Sequence, residues 1–257
     1  MAPLSTGKLI FVMITTASGM IPPELEQAIP DETSACKCFV PPPRYGGGYR
    51  NCHEIQQQGK ITNDGVYTIY PYDSSPQRPL AVFCDMATEG GGWTVIQRRE
   101  NMTGKESFRR TFLEYGLGFG DPEQDHWLGL DHVHALTNQG HSQIRIDMTD
   151  VHDDVFWAEY DFFYVGDRER RYTLEAKYYR GDAGDSLSSH SEKDFQDNMY
   201  SDSYESLGGW WHARGKKCNL NGVFWGQSKD CDSGVFWSAG DSCRSLKATS
   251  MKIRPNY

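Results

Sequence analysis

The chain has 257 residues, a net charge of −9 and a pI near 5.4, with 38% hydrophobic and 13% aromatic residues. Such a length permits one large domain or two small ones with a sizeable core, and the aromatic content excludes a wholly disordered chain. The acidic balance argues against nucleic acid as a partner.

Residues 1–19 combine a lone Lys8, a short apolar run from Leu9 to Ile14 and small residues at Ala17 and Gly19. This pattern predicts a secretory signal cut after Gly19. The run is too short to span a bilayer, and no later segment reaches that length. A secreted, disulfide-permissive protein is expected. Residues 20–51 read as a flexible tail, with Pro41-Pro42-Pro43 and Gly46-Gly47-Gly48. Neither a heptad nor a Gly-X-Y repeat precedes the body. Cys36 and Cys38 in the tail either join subunits into a disulfide-linked oligomer or bridge back to the body. Seven cysteines in all leave one thiol free or intermolecular.

Residues 52–257 read as one domain. Strands are predicted at Val66–Tyr70 and Leu80–Cys84. Then come Gly90-Gly91-Gly92 and an alternating run from Trp93 to Arg98, so a disulfide-tied strand, a tight turn and a buried strand anchored by Trp93 are expected. Helices are predicted at Phe108–Tyr115 and Asp131–Asn138. Further strands are predicted at Gln143–Met148, Trp157–Val165 and Tyr172–Tyr179, with Asp153-Asp154 as a turn. Beyond Gly181 the chain is rich in glycine, serine and aspartate with scattered tryptophans. Long loops of this kind are usually functional or cross-linked. The class is α+β. Asn101-Met102-Thr103 fits an N-glycosylation acceptor. His132-Val133-His134 has no evident third or fourth ligand and reads as polar packing rather than metal. With no G-x-S-x-G elbow and no H-E-x-x-H helix, an enzyme is not expected. Among Cys218, Cys231 and Cys243 one disulfide is expected. The favoured pair is Cys231–Cys243, stapling a loop around Trp237.

CDMATEGGGWTVIQRR at 84–99, HWLGLDHVHALT at 126–137, GDAGDSLSSH at 181–190, GGWW at 208–211, NLNG at 219–222 and MKIRP at 251–255 occur in this order. On these strings the domain resembles the fibrinogen C-terminal domain family, most of all its secreted lectin-like members of the tachylectin and ficolin type. The resemblance implies a disulfide-tied N-terminal lobe, a central mixed β-sheet and a loop-rich C-terminal lobe that holds calcium and ligand. It also implies a Cys52–Cys84 disulfide, read here as closing two neighbouring strands.

The same comparison marks departures. The family's second disulfide falls on Asp202 and Gly215. The segment between Phe195 and Trp210 is shortened, which weakens the implied calcium site and leaves Asp194, Asp197 and Asp202 as its oxygen donors. The implied pocket falls on Ser206, His212, Lys216, Phe224, Trp237 and Arg244, where cations and a serine replace expected pocket residues. A non-enzymatic glycoprotein of innate defence that binds carbohydrate or acetylated surface ligands is therefore expected, acting as a homo-oligomer. The alternative is a module without a sugar site that binds an extracellular protein.

Overall fold

The computed structural model describes residues 48–72, 75, 78–100, 106–197, 208–215, 217–224, 234–239 and 242–256. The expected signal, most of the expected tail, Cys36, Cys38 and Asn101 lie outside them. The folded body already includes Tyr49, which is buried and whose carbonyl accepts the Tyr70 N–H at 2.8 Å.

Helix α1 (Cys52–Gly59) opens the body. Asn51 caps it by accepting the Glu54 N–H at 3.0 Å, and Glu54 Oε2 accepts the Arg50 N–H at 2.8 Å. Asn51-Cys52-His53-Glu54 is a capping signature legible in the sequence. Cys52 begins α1, so its disulfide to Cys84 ties a helix to a strand rather than two strands to each other.

Strands β1 (Gly65–Ile69), β2 (Leu80–Asp85) and β3 (Trp93–Arg99) follow as an antiparallel set. The glycines before Trp93 allow close approach. At Gly91, φ is 74° and a Cβ would stand 2.0 Å from the Met86 carbonyl oxygen. Trp93 is fully buried and its Nε1 donates to the Thr88 carbonyl at 2.8 Å.

Helix α2 (Phe112–Leu117) starts later than its predicted Phe108 because Thr111 and Glu114 form a capping box there. The short strands β4 (Phe119–Gly120) and β5 (His126–Trp127) lead to α3 (Leu130–Thr137). Next come β6 (Ser142–Asp150), β7 (Val155–Val165) and β8 (Leu174–Gly181). Asp153, with φ 73°, makes the β6–β7 turn. The remaining strands are β9 (Cys218–Asn219), β10 (Phe236–Ala239) and β11 (Ser242–Pro255).

The main sheet runs β1-β2-β3-β11-β6-β7-β8. Every strand pairing among the described residues is antiparallel, which refines the mixed sheet expected: β11 lies between β3 and β6 and runs opposite to both. Leu246, Met251 and Ile253 of β11 are buried in the core. An aromatic cluster joins the C-terminal lobe to α2 and β5, with Tyr115–Phe195 centroids at 4.9 Å, Phe195–Trp211 at 5.3 Å and Trp210–Trp211 at 5.3 Å. Burying rings of this size anchors the lobe.

Candidate functional site

Three strands floor the C-terminal lobe. Trp237 on β10 faces Cys218 on β9 and Arg244 on β11, so residues far apart in sequence form one row. The Trp237 ring is buried, and its Nε1 donates to the Gly184 carbonyl at 2.9 Å. Cys218 is a buried free thiol, and burial pushes its pKa up, which suppresses the reactive thiolate. Beneath it, burial lowers the His190 pKa, favouring the neutral ring. His190 Nε2 accepts the Cys218 N–H at 3.2 Å, which leaves Nδ1 to donate to the Trp211 carbonyl at 2.6 Å.

The loop at 219–222 is pinned from the main sheet. Gln97 Nε2 donates to the Leu220 carbonyl at 2.9 Å and to Asn221 Oδ1 at 3.2 Å. Arg99 Nη1 donates to the carbonyls of Gly222 at 2.5 Å and Leu220 at 3.3 Å. Asn221 Nδ2 donates to the Gly209 carbonyl at 2.9 Å. Burial lowers the Arg99 pKa to about 10, so the guanidinium stays charged at neutral pH. Arg98-Arg99 read from sequence as a basic run flanking a strand. In the structure, Arg99 is buried and clamps the loop two residues before Phe224. A charged pair ending a buried strand is the only sequence signal for this, and it does not reveal the distant partner.

Among the predicted ligand residues, His212, Phe224 and Arg244 are half-buried, and Phe224 packs against the core. The Arg244 guanidinium lies 4.5 Å from the Phe156 ring centroid, with Nη1 4.0 Å from Asp150 Oδ2. Trp237 and Arg244 are brought together as strand neighbours. Ser206 and Lys216 lie outside the described residues.

The implied calcium donors are engaged elsewhere. Asp194 accepts the Thr173 hydroxyl at 3.2 Å and pairs with Arg171 at 3.5 Å. Asp197 Oδ2 accepts the Phe112 N–H at 2.8 Å, at the start of α2. No group of three or more His, Cys, Asp or Glu suited to a metal occurs among the described residues, and Asp202 lies outside them. The described carboxylates do not fit a cage of six to eight oxygens. His134 Nδ1 lies 2.9 Å from the Val165 carbonyl and His126 Nδ1 lies 3.1 Å from the Gln124 carbonyl, so these two rings bond within the protein. Cys243 is disulfide-bonded, and its expected partner Cys231 lies outside the described residues.

The family model of the C-terminal globular domain of fibrinogen beta and gamma chains matches residues 48–256. Fibrinogen C domain-containing protein 1-B of Xenopus laevis is 40% identical over 226 residues, covering 82% of this chain and 48% of that protein. The chain thus spans about half the length of that relative. Techylectin-5A of Tachypleus tridentatus is 38% identical over 215 residues, covering 80% of this chain and 73% of that protein. The fibrinogen-like globe domain of human ANGPTL2 superposes with a TM-score of 0.71 at 34% identity, over 81% of this chain and 100% of that one.

Proposed function

This chain belongs to the fibrinogen C-terminal globular domain family, and we propose that it is a secreted recognition protein whose C-terminal lobe binds carbohydrate or acetylated surface ligands, as in innate defence. Domains of this family recognise ligands and are not enzymes. The observation that carries the reading is the Gln97 and Arg99 clamp on residues 219–222, directly before Phe224. A loop held before the ligand arrives loses little entropy on binding. Phe224 and His212 supply apolar and polar contact beside it, Arg244, Lys216 and Ser206 orient polar ligand groups, and the buried Trp237 is the strand neighbour of Arg244. Similarity to a relative named as a lectin adds to this.

Calcium is not required in this reading, because Asp194 and Asp197 spend their carboxylates on protein donors. Weak single sites become avid when subunits are joined, which gives Cys36 and Cys38 their role. Glycan arrays carrying N-acetylated and acidic sugars test the proposal. Binding is expected to persist with a calcium chelator and to weaken about tenfold in Arg244→Ala, equivalent to roughly 1.4 kcal/mol. Absence of binding to every glycan would reject it.

A second reading, a protein-binding module without a sugar site, is favoured by one observation: the Trp237 ring is buried and its N–H is spent on Gly184. A pull-down yielding one stoichiometric extracellular partner, together with silent glycan arrays, selects it.

A further inference from the structure

The outer face of the main sheet carries a second recess that shares no residue with the ligand set above. Register places Arg98, Ser250 and Asp147 in one row across β3, β11 and β6. Ala248, Thr149 and Val155 occupy another row, across β11, β6 and β7. Ala248, Ser250 and Thr149 are short, whereas the side chains around them are long. The contrast leaves a cavity of about 230 Å³ lined by these residues and by Lys252.

Its lining offers donors and acceptors together. Lys252 Nζ lies 2.6 Å from Asp85 Oδ2 and 2.7 Å from Asp147 Oδ2. Asp147 Oδ1 accepts from Arg145 Nε at 2.7 Å. Each Asp147 oxygen keeps a further lone pair, whereas Asp85 Oδ2 also accepts the Thr88 hydroxyl at 2.6 Å and is filled. Arg98 directs Nε to Glu100 at 3.2 Å and stacks 4.1 Å from the Phe83 ring centroid. Its terminal nitrogens, and the hydroxyls of Thr149 and Ser250, make no hydrogen bond among the described residues. Val155, 74% exposed, forms an apolar lip.

The charges select the ligand class. Asp85, Asp147 and Glu100 are matched by Arg98, Arg99 and Lys252 in the lining, so the recess carries no net charge and no positive field draws an anion here. A neutral ligand with adjacent hydroxyls satisfies both kinds of group. It donates to Asp147, accepts from Arg98, Thr149 and Ser250, and lays its C–H face on Val155. The volume is below that of a drug-sized pocket and suits a single sugar ring. We propose that this recess is a separate binding subsite for a neutral polyol, a single hexose unit being the simplest occupant. The subsite stands on its own lining and does not depend on the C-terminal lobe reading.

The test is titration of galactose, mannose and myo-inositol into isotopically labelled full-length protein, following amide shifts. Shifts are expected at Thr149 and Ser250. Ser250→Leu fills the recess and is expected to weaken binding about tenfold. Thr149→Val, which removes one hydroxyl with little change of shape, weakens it less, and Arg244→Ala leaves it unchanged. Thermal melts confirm that each variant is folded, and Thr149→Val keeps the test valid if Ser250→Leu does not fold. Shifts confined to the surroundings of Phe224 and Arg244, or unchanged binding in Thr149→Val, overturn the subsite while leaving the lobe proposal standing. No shift with any of the three sugars also overturns it, and the glycan arrays then decide the lobe proposal separately.

Discussion

Single residues hold this body together through buried charge. Burial alone raises the Asp85 pKa, but hydrogen bonds from the Lys252 ammonium and from the Thr88 side chain and backbone overcome it, and the pKa falls from the ordinary 3.8 to about 2. A carboxyl whose folded pKa is depressed stabilises the fold above its unfolded value. That stabilisation is lost as pH falls from about 4 toward about 2. Lys252→Met removes the shared cation of Asp85 and Asp147. It is expected to cost about 3–5 kcal/mol, the usual penalty for breaking a buried pair from one side, and to move the acid-unfolding midpoint upward. Urea melts across pH check both, and an unchanged acid midpoint would refute the assignment. Nothing in the local sequence around Lys252 reveals this role. MKIRP reads as a basic tail end, and its carboxylate partners lie 167 positions back at Asp85 and over a hundred back at Asp147.

Elements are fixed partly by local signals and partly by distant ones. Strands β1, β2, β3, β6 and β7 were legible because apolar and β-branched residues cluster or alternate between turn residues. Helix α2 shifted because its capping box outweighs the hydrophobic run. β11 was hidden because Arg244, Lys247, Lys252 and Arg254 interrupt its apolar positions, and their charges are satisfied only by partners elsewhere in the fold. The α1–β2 disulfide closes a separation of 32 residues. Replacing Cys52 and Cys84 together by alanine should cost roughly 3–4 kcal/mol in the chain-entropy model, read as a lower denaturation midpoint. The clamp on the 219–222 loop is tested by Gln97→Met. Amide exchange at residues 219–222 should accelerate about tenfold, with β6 and β7 unchanged. Uniform acceleration throughout the sheet would mean a global effect instead.

Across the whole molecule, secretion, assembly and avidity are linked proposals. Mass spectrometry of protein recovered from the culture medium is expected to show an N-terminus at Met20 and glycan at Asn101. A non-reducing disulfide map should show Cys231–Cys243 within the chain and Cys36 or Cys38 between chains. Replacing both tail cysteines by serine should then abolish the covalent oligomer and weaken binding to a multivalent surface, with single-site affinity unchanged. The sequence by itself determined the fold class and, through its ordered strings, the family resemblance that implied the Cys52–Cys84 pair, because its glycine turn, tryptophan anchors and alternating strands are local patterns. Only the tertiary structure decided that Trp237 lies beneath the lobe surface, that Arg99 pins the loop before Phe224, and that Ala248, Ser250 and Thr149 open a recess. Those facts depend on which strands pair and in what register, and pairing between distant segments leaves no local periodicity to read.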